Sequence, residues 1–276
     1  MNDFTWEFMK DRVRKLAFKG LRLDRRGPLD YRPVEIQTGV YHHADGSAFV
    51  DLGGTKVAAG VKMEIGTPFP DTPDQGAIIT DAELLPIANP TFEPGPPDEN
   101  AIELARVVDR SIRESNAIDL SSLVIEEGKY VWLVFTDLRV LDDNGNLFDA
   151  ASLAAVAALA TTRIPRVEYE GDELKVVRGE YESPLELNET PLLTTFVKIS
   201  NAIFSDPSLS EMKAADARIS VATVDDGSIT AVQKGAEGAL TRRELSLIFE
   251  RAVDRGKYLR ELLKKVVEDG QDKESR

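Results

Sequence analysis

Three arginines, Arg106, Arg110 and Arg113, recur at i, i+4 and i+7 in a segment that opens at Asp98 and reads as a helix to about Asn116. At about 100° per residue these positions share one strip of an α-helix roughly 60° wide. Ala101, Leu104, Ala105, Val108 and Ile112 fall on the opposite side, so the guanidiniums point away from the core. Stacked in this way they can hold successive phosphates in bidentate fashion. The same spacing also suits ion pairs with Glu103, Asp109 and Glu114 on a solvated face, each worth roughly 0.2–0.5 kcal/mol. Both readings stay open on spacing alone. Asp98 suits the N-cap, and Glu99 sits where the helix dipole favours negative charge.

A second basic cluster, Arg22, Arg25, Arg26 and Arg32, lies in a connector whose Gly and Pro residues forbid a continuing helix. It could touch an anionic partner, or it could be pinned to the acidic body by ion pairs. His42 and His43 are the only histidines, and neighbours on a strand face opposite ways, so no metal site is expected of them. Asp142-Asp-Asn-Gly-Asn146 has some calcium-loop character but lacks the acid at the twelfth position, and reads as a turn. Neither a G-x-S-x-G elbow, a P-loop nor a dinucleotide fingerprint occurs, and no cofactor is implied.

The chain that must position these groups has 276 residues, long enough for one large domain or two smaller ones. Lys plus Arg is 34 against 48 Asp plus Glu, a net charge of −14, which argues against coating nucleic acid over the whole surface. A narrow basic track stays possible, because charge is felt only within a Debye length of about 8–10 Å. Charge is segregated accordingly: Glu64 to Ala105 holds nine acids and no Lys or Arg, while the first 26 residues hold eight Lys/Arg against four acids. With no Cys, disulfides, thiolate nucleophiles and Cys-based zinc sites are excluded. The longest stretch without a charged residue, Ala150–Thr162, has thirteen residues, short of the ~20 a membrane helix needs. The first residues carry charges and no apolar signal core, so a cytoplasmic protein is expected.

Pattern and punctuation predict a first helix from Phe4 to near Gly20, then strands at 34–41, 47–52 and 55–63 with a hairpin at Gly53-Gly54. A strand at 77–86, the helix from Asp98, and a strand at 130–141 follow, then an Ala-rich helix at 150–161 capped by Asp149. The pattern restarts after Pro165 with strands at 166–170, 173–178, 192–200, 216–224 and 228–234. A closing helix begins at a Thr241–Glu244 capping box, with Leu245, Ile248, Ala252, Leu259, Leu262 and Val266 as its apolar stripe. The expected architecture is therefore α+β, with two related halves of mixed β-sheet packed with α-helices. The parts are a helix and Arg-rich connector at 1–33, halves at 34–165 and 166–268, and a loose tail at 269–276.

Several strings carry a family resemblance. Gly20-x-Arg22-x-Asp24-x-Arg26-x-x-x-Asp30-Tyr-Arg-Pro33, Ala44-Asp-Gly-Ser-Ala48, Leu52-Gly-Gly-Thr55 and Glu83-Leu-Leu-Pro86 resemble the ribonuclease PH family. Phe92-Glu-Pro-Gly-Pro-Pro-Asp-Glu-Asn100, continuing to Arg110, is similar to the non-catalytic ribonuclease-PH-like ring subunits of the archaeal exosome. Arg25 departs from the pattern, standing where the family usually has Gly. The resemblance implies a ribonuclease-PH-like fold and a hexameric ring of three heterodimers with a catalytic sister chain, together with RNA-binding cap subunits. Single-stranded RNA would enter the ring and be shortened from its 3′ end by phosphate. It also implies that Arg106 and Arg110, with Arg113 more peripheral, hold the RNA backbone beside the sister's active site.

Active relatives carry a Gly-Gly-Ser/Thr-Arg type turn and two Asp six residues apart. Here the turn is Asn144-Gly-Asn-Leu-Phe148, and the acids fall on Ser210 and Asp216, with Glu211 adjacent to the first. The resemblance therefore implies no catalytic residue in this chain. Two alternatives remain: a phosphorolytic exoribonuclease in its own right, and a structural ring subunit without RNA contact.

Overall fold

The computed structural model describes residues 3–171 and 173–274. After α1 (Asp3–Ala17) and the connector, β1 (Val34–Thr38), β2 (Gly46–Leu52) and β3 (Thr55–Gly66) form an antiparallel meander. Gly53 and Gly54 join β2 to β3 with φ +53° and +93°, the paired left-handed conformations a two-residue hairpin needs and a Cβ disfavours. β4 (Ala77–Leu84) leads through the crossover helix α2 (Glu99–Arg113), a 3₁₀ turn at Leu120–Leu123 and the short β5 (Val124–Glu126) to β6 (Tyr130–Asp142). β6 pairs parallel to β4 and antiparallel to β3, so the sheet runs β1-β2-β3-β6-β4, with β5 also on β6.

The Ala-rich helix is α3 (Leu147–Ala160), buried from Phe148 through Leu159. It packs on β2 and β3 of the first sheet and on β9 (Leu192–Ile199) of the second. Small side chains on all its faces let both sheets approach it closely. One correction concerns its start. Asn146 takes the N-cap position with φ +61°, and Asp149 lies buried inside the first turn instead of capping it.

The second sheet contains β9, β10 (Ala202–Ser205), β11 (Ala217–Thr223) and β12 (Ile229–Gly235) in the order β10-β9-β11-β12. Every pairing is antiparallel, so only the first sheet is mixed. β10 and the short α4 (Leu209–Ala214) between β10 and β11 carry no periodic signal and fall outside the sequence-based expectation. Between the sheets, β7 (Arg163–Glu170) and β8 (Glu173–Pro184) form a hairpin. It leans on the first half: Arg163 N donates to Asp45 O at 2.9 Å and Arg178 reaches the Asp45 carboxylate at 3.3 Å. A division after residue 165 thus falls inside β7.

α5 (Arg242–Glu274) closes the chain. Thr241 N donates to Glu244 Oε2 at 2.7 Å and Glu244 N to Thr241 Oγ1 at 3.3 Å, the reciprocal box expected. Ile248, Ala252 and Leu259 are buried as expected, but the last turns bury Leu263 and pack Val267, with Leu262 and Val266 only half-buried. Steps of seven from Ala252 drift about 20° each on a straight helix, which moves the core line one residue on. The helix continues through Glu274, and the last two residues of the expected loose tail lie outside the described residues. No helix among the described residues is long and apolar enough to cross a membrane. A single apolar cluster draws Val50 and Met63 from the first sheet, Leu104 from α2, Leu153 from α3, Leu193 from the second sheet and Leu259 from α5. The halves share a core.

Candidate nucleic-acid interface

α2 begins as its sequence dictates: the Asp98 carboxylate accepts from Ala101 N at 2.8 Å, and that bond holds its pKa below the ordinary value. Leu104, Val108 and Ile112 are buried, while Arg106, Arg110 and Arg113 are all exposed on the outer strip. The three then differ. Arg113 pairs with Asp109 at 3.0 Å and donates to Ile78 O at 3.0 Å, so for it the ion-pair reading holds. Arg110 donates to Gln233 Oε1 of β12 at 2.7 Å. The Arg106 side chain has no hydrogen bond or ion pair to any described residue. Glu103, a partner open to these arginines by spacing, is engaged elsewhere, accepting from Arg218 of β11 at 2.6 Å and from Gln233 Nε2 at 2.9 Å. Glu103, Gln233 and Arg110 therefore form a polar chain that fixes one arginine against the second sheet and leaves its neighbour Arg106 free.

The connector arginines behave in the opposite way. Arg22 is buried and pairs with Glu211 at 2.6 Å, while donating to the carbonyls of Ser205 and Asp206. Arg32 binds both oxygens of Asp206, at 2.7 and 2.9 Å, and the carbonyls of Asn144 and Gly145. Arg26 reaches Asp206 at 2.8 Å and Asp24 at 2.7 Å. Burial works against the ionised form of Asp206, but hydrogen bonds and charge from Arg32 outweigh it and hold the carboxyl below its ordinary range. Of the four, only Arg25 is exposed with a side chain that has no described partner. Its φ of +65° is the left-handed conformation that a glycine adopts without strain.

The groups aligned with a catalytic centre are bound up internally. Asp216 is paired with Arg14 of α1 and accepts from Ser200 N at 2.6 Å. Glu211 is fully engaged by Arg22 and by Ser208 N, and the Ser210 hydroxyl meets only Ser208 Oγ, at 3.1 Å. At the turn before α3, Gly145 has φ +89°, and a Cβ there would overlap the backbone of Ser208 and Leu209. Asn146 donates to both Asp149 and Asp206 at 2.8 Å. Asp149 also accepts from Tyr31, Thr195 N and Thr195 Oγ1. Burial raises its pKa from 3.8 to about 6 against the pull of those bonds. Burial, with the charges of Asp149 and Asp206, pushes Tyr31 well above 10.0. Sequence reasoning assigns no role to Asp206, Arg218 or Gln233. Their partners lie sixty or more residues away, and no local pattern announces them.

A mixed sheet crossed by α2, an antiparallel sheet and a shared buried helix between them are matched by two family models. The 3′ exoribonuclease family, domain 1, covers residues 30–165, and the same family's domain 2 covers 189–255. The chain belongs to this family, ribonuclease PH. Within it, the chain is 48% identical over 259 residues to the exosome complex component Rrp42 of Thermococcus gammatolerans, covering 94% of this chain and 95% of the relative. It is 49% identical over 263 residues to the component of the same name from Methanothermobacter thermautotrophicus, covering 95% and 97%. Among solved structures, a chain of the Archaeoglobus fulgidus exosome with RNA bound to the active site superposes with a TM-score of 0.87 at 44% identity, covering 94% of this chain and 99% of that one. A chain of an archaeal exosome core gives 0.83 at 41%, covering 95% and 98%.

Proposed function

We propose that this chain is a non-catalytic ring subunit of an archaeal-type exosome and lends RNA-backbone contacts to a catalytic sister chain. The observation that carries the reading is the disposition of its charged groups. The one acid aligned with a reaction centre, Asp216, and the acid next to the other aligned position, Glu211, are each paired to an arginine of this chain, whereas the Arg106 side chain stands exposed with no described partner. Phosphorolysis requires a cradle for inorganic phosphate and a carboxylate free to act at the leaving oxygen. The Asn144–Phe148 turn offers no hydroxyl or guanidinium of its own, and the arginines beside it are already neutralised, Arg32 by Asp206 at 2.7 Å and Arg218 by Glu103 at 2.6 Å. Binding is the remaining work. Arg106 and Arg110 grip phosphate without reading bases, so the contact is sequence-tolerant and salt-sensitive. The names of the relatives support assembly into an exosome. The proposed assembly is three heterodimers in a ring, in the cytoplasm, with cap subunits above.

Incubating the purified chain with single-stranded RNA, phosphate and magnesium should leave the RNA intact, while adding the catalytic relative should give a hexameric complex and 3′-to-5′ shortening. Steady release of nucleoside diphosphates by this chain alone would overturn the proposal.

A further inference from the structure

Three arginines are buried among the described residues, Arg22, Arg32 and Arg260, at 4%, 7% and 8% exposure. The first two are bound in one pattern. Arg22 gives Nε and Nη2 to the two oxygens of Glu211, at 2.9 and 2.6 Å, and Nη1 to the carbonyl of Ser205 at 2.9 Å. Arg32 gives Nε and Nη2 to the two oxygens of Asp206, at 2.9 and 2.7 Å, and Nη1 to the carbonyl of Asn144 at 2.9 Å. The Nε–H and one Nη2–H of a guanidinium are parallel, which is why that edge takes a carboxylate in bidentate fashion.

Arg260 of α5 completes only half of this pattern. Its Nη1 donates to Thr223 O at 2.8 Å and to Thr223 Oγ1 at 3.2 Å, but Nε and Nη2 have no partner among the described residues. Asp225 and Glu189 are near enough to favour the charge, yet each is held by a backbone amide instead, Asp225 by Thr190 N at 2.7 Å and Glu189 by Asp225 N at 3.2 Å. Burial pulls the pKa of Arg260 below its ordinary value despite them. Neither free nitrogen is sealed from solvent. The residue lines a cavity of about 490 Å³ between the second half of α5 and the segment that joins β8 to β9, so the free edge opens there.

The other walls define the rest of the ligand. Leu185, Leu187, Leu263 and Val267 give the cavity an apolar floor. Lys257 and Lys264, with Arg260, are balanced on its wall by Asp225, Glu261 and Glu268, so a polyanion meets as much repulsion as attraction. The volume lies within the ~300–1,000 Å³ of small-molecule sites. We propose that this cavity binds a small apolar carboxylic acid, its carboxylate bidentate on the Nε–Nη2 edge of Arg260 and its hydrocarbon body on the leucines. The ligand supplies from outside the acid that Glu211 and Asp206 supply to the other two buried arginines from within. No residue of α2 lines the cavity, and the site stands independently of the RNA-backbone reading.

The test uses the full chain with labelled methyl groups, titrated separately with octanoate, 1-octanol and acetate. Octanoate should shift the methyls of Leu185, Leu187 and Leu263 in a saturable way. It should bind about tenfold or more tightly than octanol, which lacks the carboxylate, or acetate, which lacks the body. Arg260→Gln should abolish the preference over octanol. Because loss of a buried arginine can unfold the chain, Glu261→Trp, a plug from an exposed helix position, gives a second reading and should weaken octanoate about tenfold. Methyls unmoved by millimolar octanoate, equal binding of octanoate and octanol, or binding indifferent to Glu261→Trp overturns the proposal. So does a site silent to octanoate whose Arg260→Gln variant folds but no longer assembles with the catalytic relative, since the missing acid then comes from a partner subunit.

Discussion

The connector and the outer strip of α2 have similar numbers of arginines and opposite fates. In the connector Arg22 and Arg32 are buried, and together with Arg26 they converge on two carboxylates, Asp206 and Glu211, that arrive from the second half of the chain. On α2 the guanidiniums face outward, and of the three one has a carboxylate, one an amide and one nothing. Composition cannot separate these cases. What separates them is whether the fold supplies a desolvated acid: where it does, positive charge locks the chain together, and where it does not, the charge stays available to an external anion.

The largest effect should come from the buried side. Asp206→Ala leaves Arg32 and Arg26 facing a site without its counter-charge and should cost about 3–5 kcal/mol of stability, read as a lowered denaturant midpoint. A change under about 1 kcal/mol would mean the connector is held by packing and the contrast with α2 is false.

The pH dependence sharpens the same contrast. Asp149 has a folded pKa of about 6 against an ordinary 3.8, so the native state holds a proton there that the unfolded chain has lost. Its contribution to stability is full below about pH 4, falls as pH rises towards 6 and is flat above, an effect of at most about 3 kcal/mol. Asp206 runs the other way, with stability present above its ordinary 3.8 and lost as pH falls through its lower folded value. Unfolding midpoints measured from pH 7 down to 3 should rise and then fall, and Asp149→Asn should remove the upper slope.

On the exposed side, Arg106→Glu with Arg110→Glu should leave stability within about 0.5 kcal/mol and ring assembly intact. RNA binding by the assembled ring should weaken, and its salt slope should shrink by about 0.7 for each phosphate of the single strand that is no longer neutralised. Unchanged RNA binding would mean the strip is a solvated helix face. The smallest effect belongs to Arg113→Ala, whose surface pair with Asp109 is worth about 0.3–0.5 kcal/mol and whose guanidinium is already occupied.

Much of the fold is legible in the sequence, for identifiable reasons. The Asp98 cap, the two faces of α2, the Gly53-Gly54 hairpin and the Thr241–Glu244 box are set by residues within a few positions of one another, and local geometry fixes them. β10 and α4 are not legible, being too short for a period to show. Asp149 misleads because an acid before an alanine run looks like a cap. The actual cap position is taken by Asn146 in a left-handed conformation, whose side chain faces inward to two carboxylates. The strip can be located from spacing, and Asp109 is a local partner for Arg113, but the inequality of the three cannot be read, because Gln233 engages Arg110 and Glu103 only once β12 lies against α2.

The ties between connector and second half span long stretches of sequence: 174 residues separate Arg32 from Asp206, and 189 separate Arg22 from Glu211. During synthesis from the N-terminus, this cationic strap leaves the ribosome with nothing to close on until about three-quarters of the chain has been made. The first sheet, complete by Asp142, can form before then, but its connector cannot be docked, and for that interval the nascent protein trails an unmatched positive loop open to polyanions.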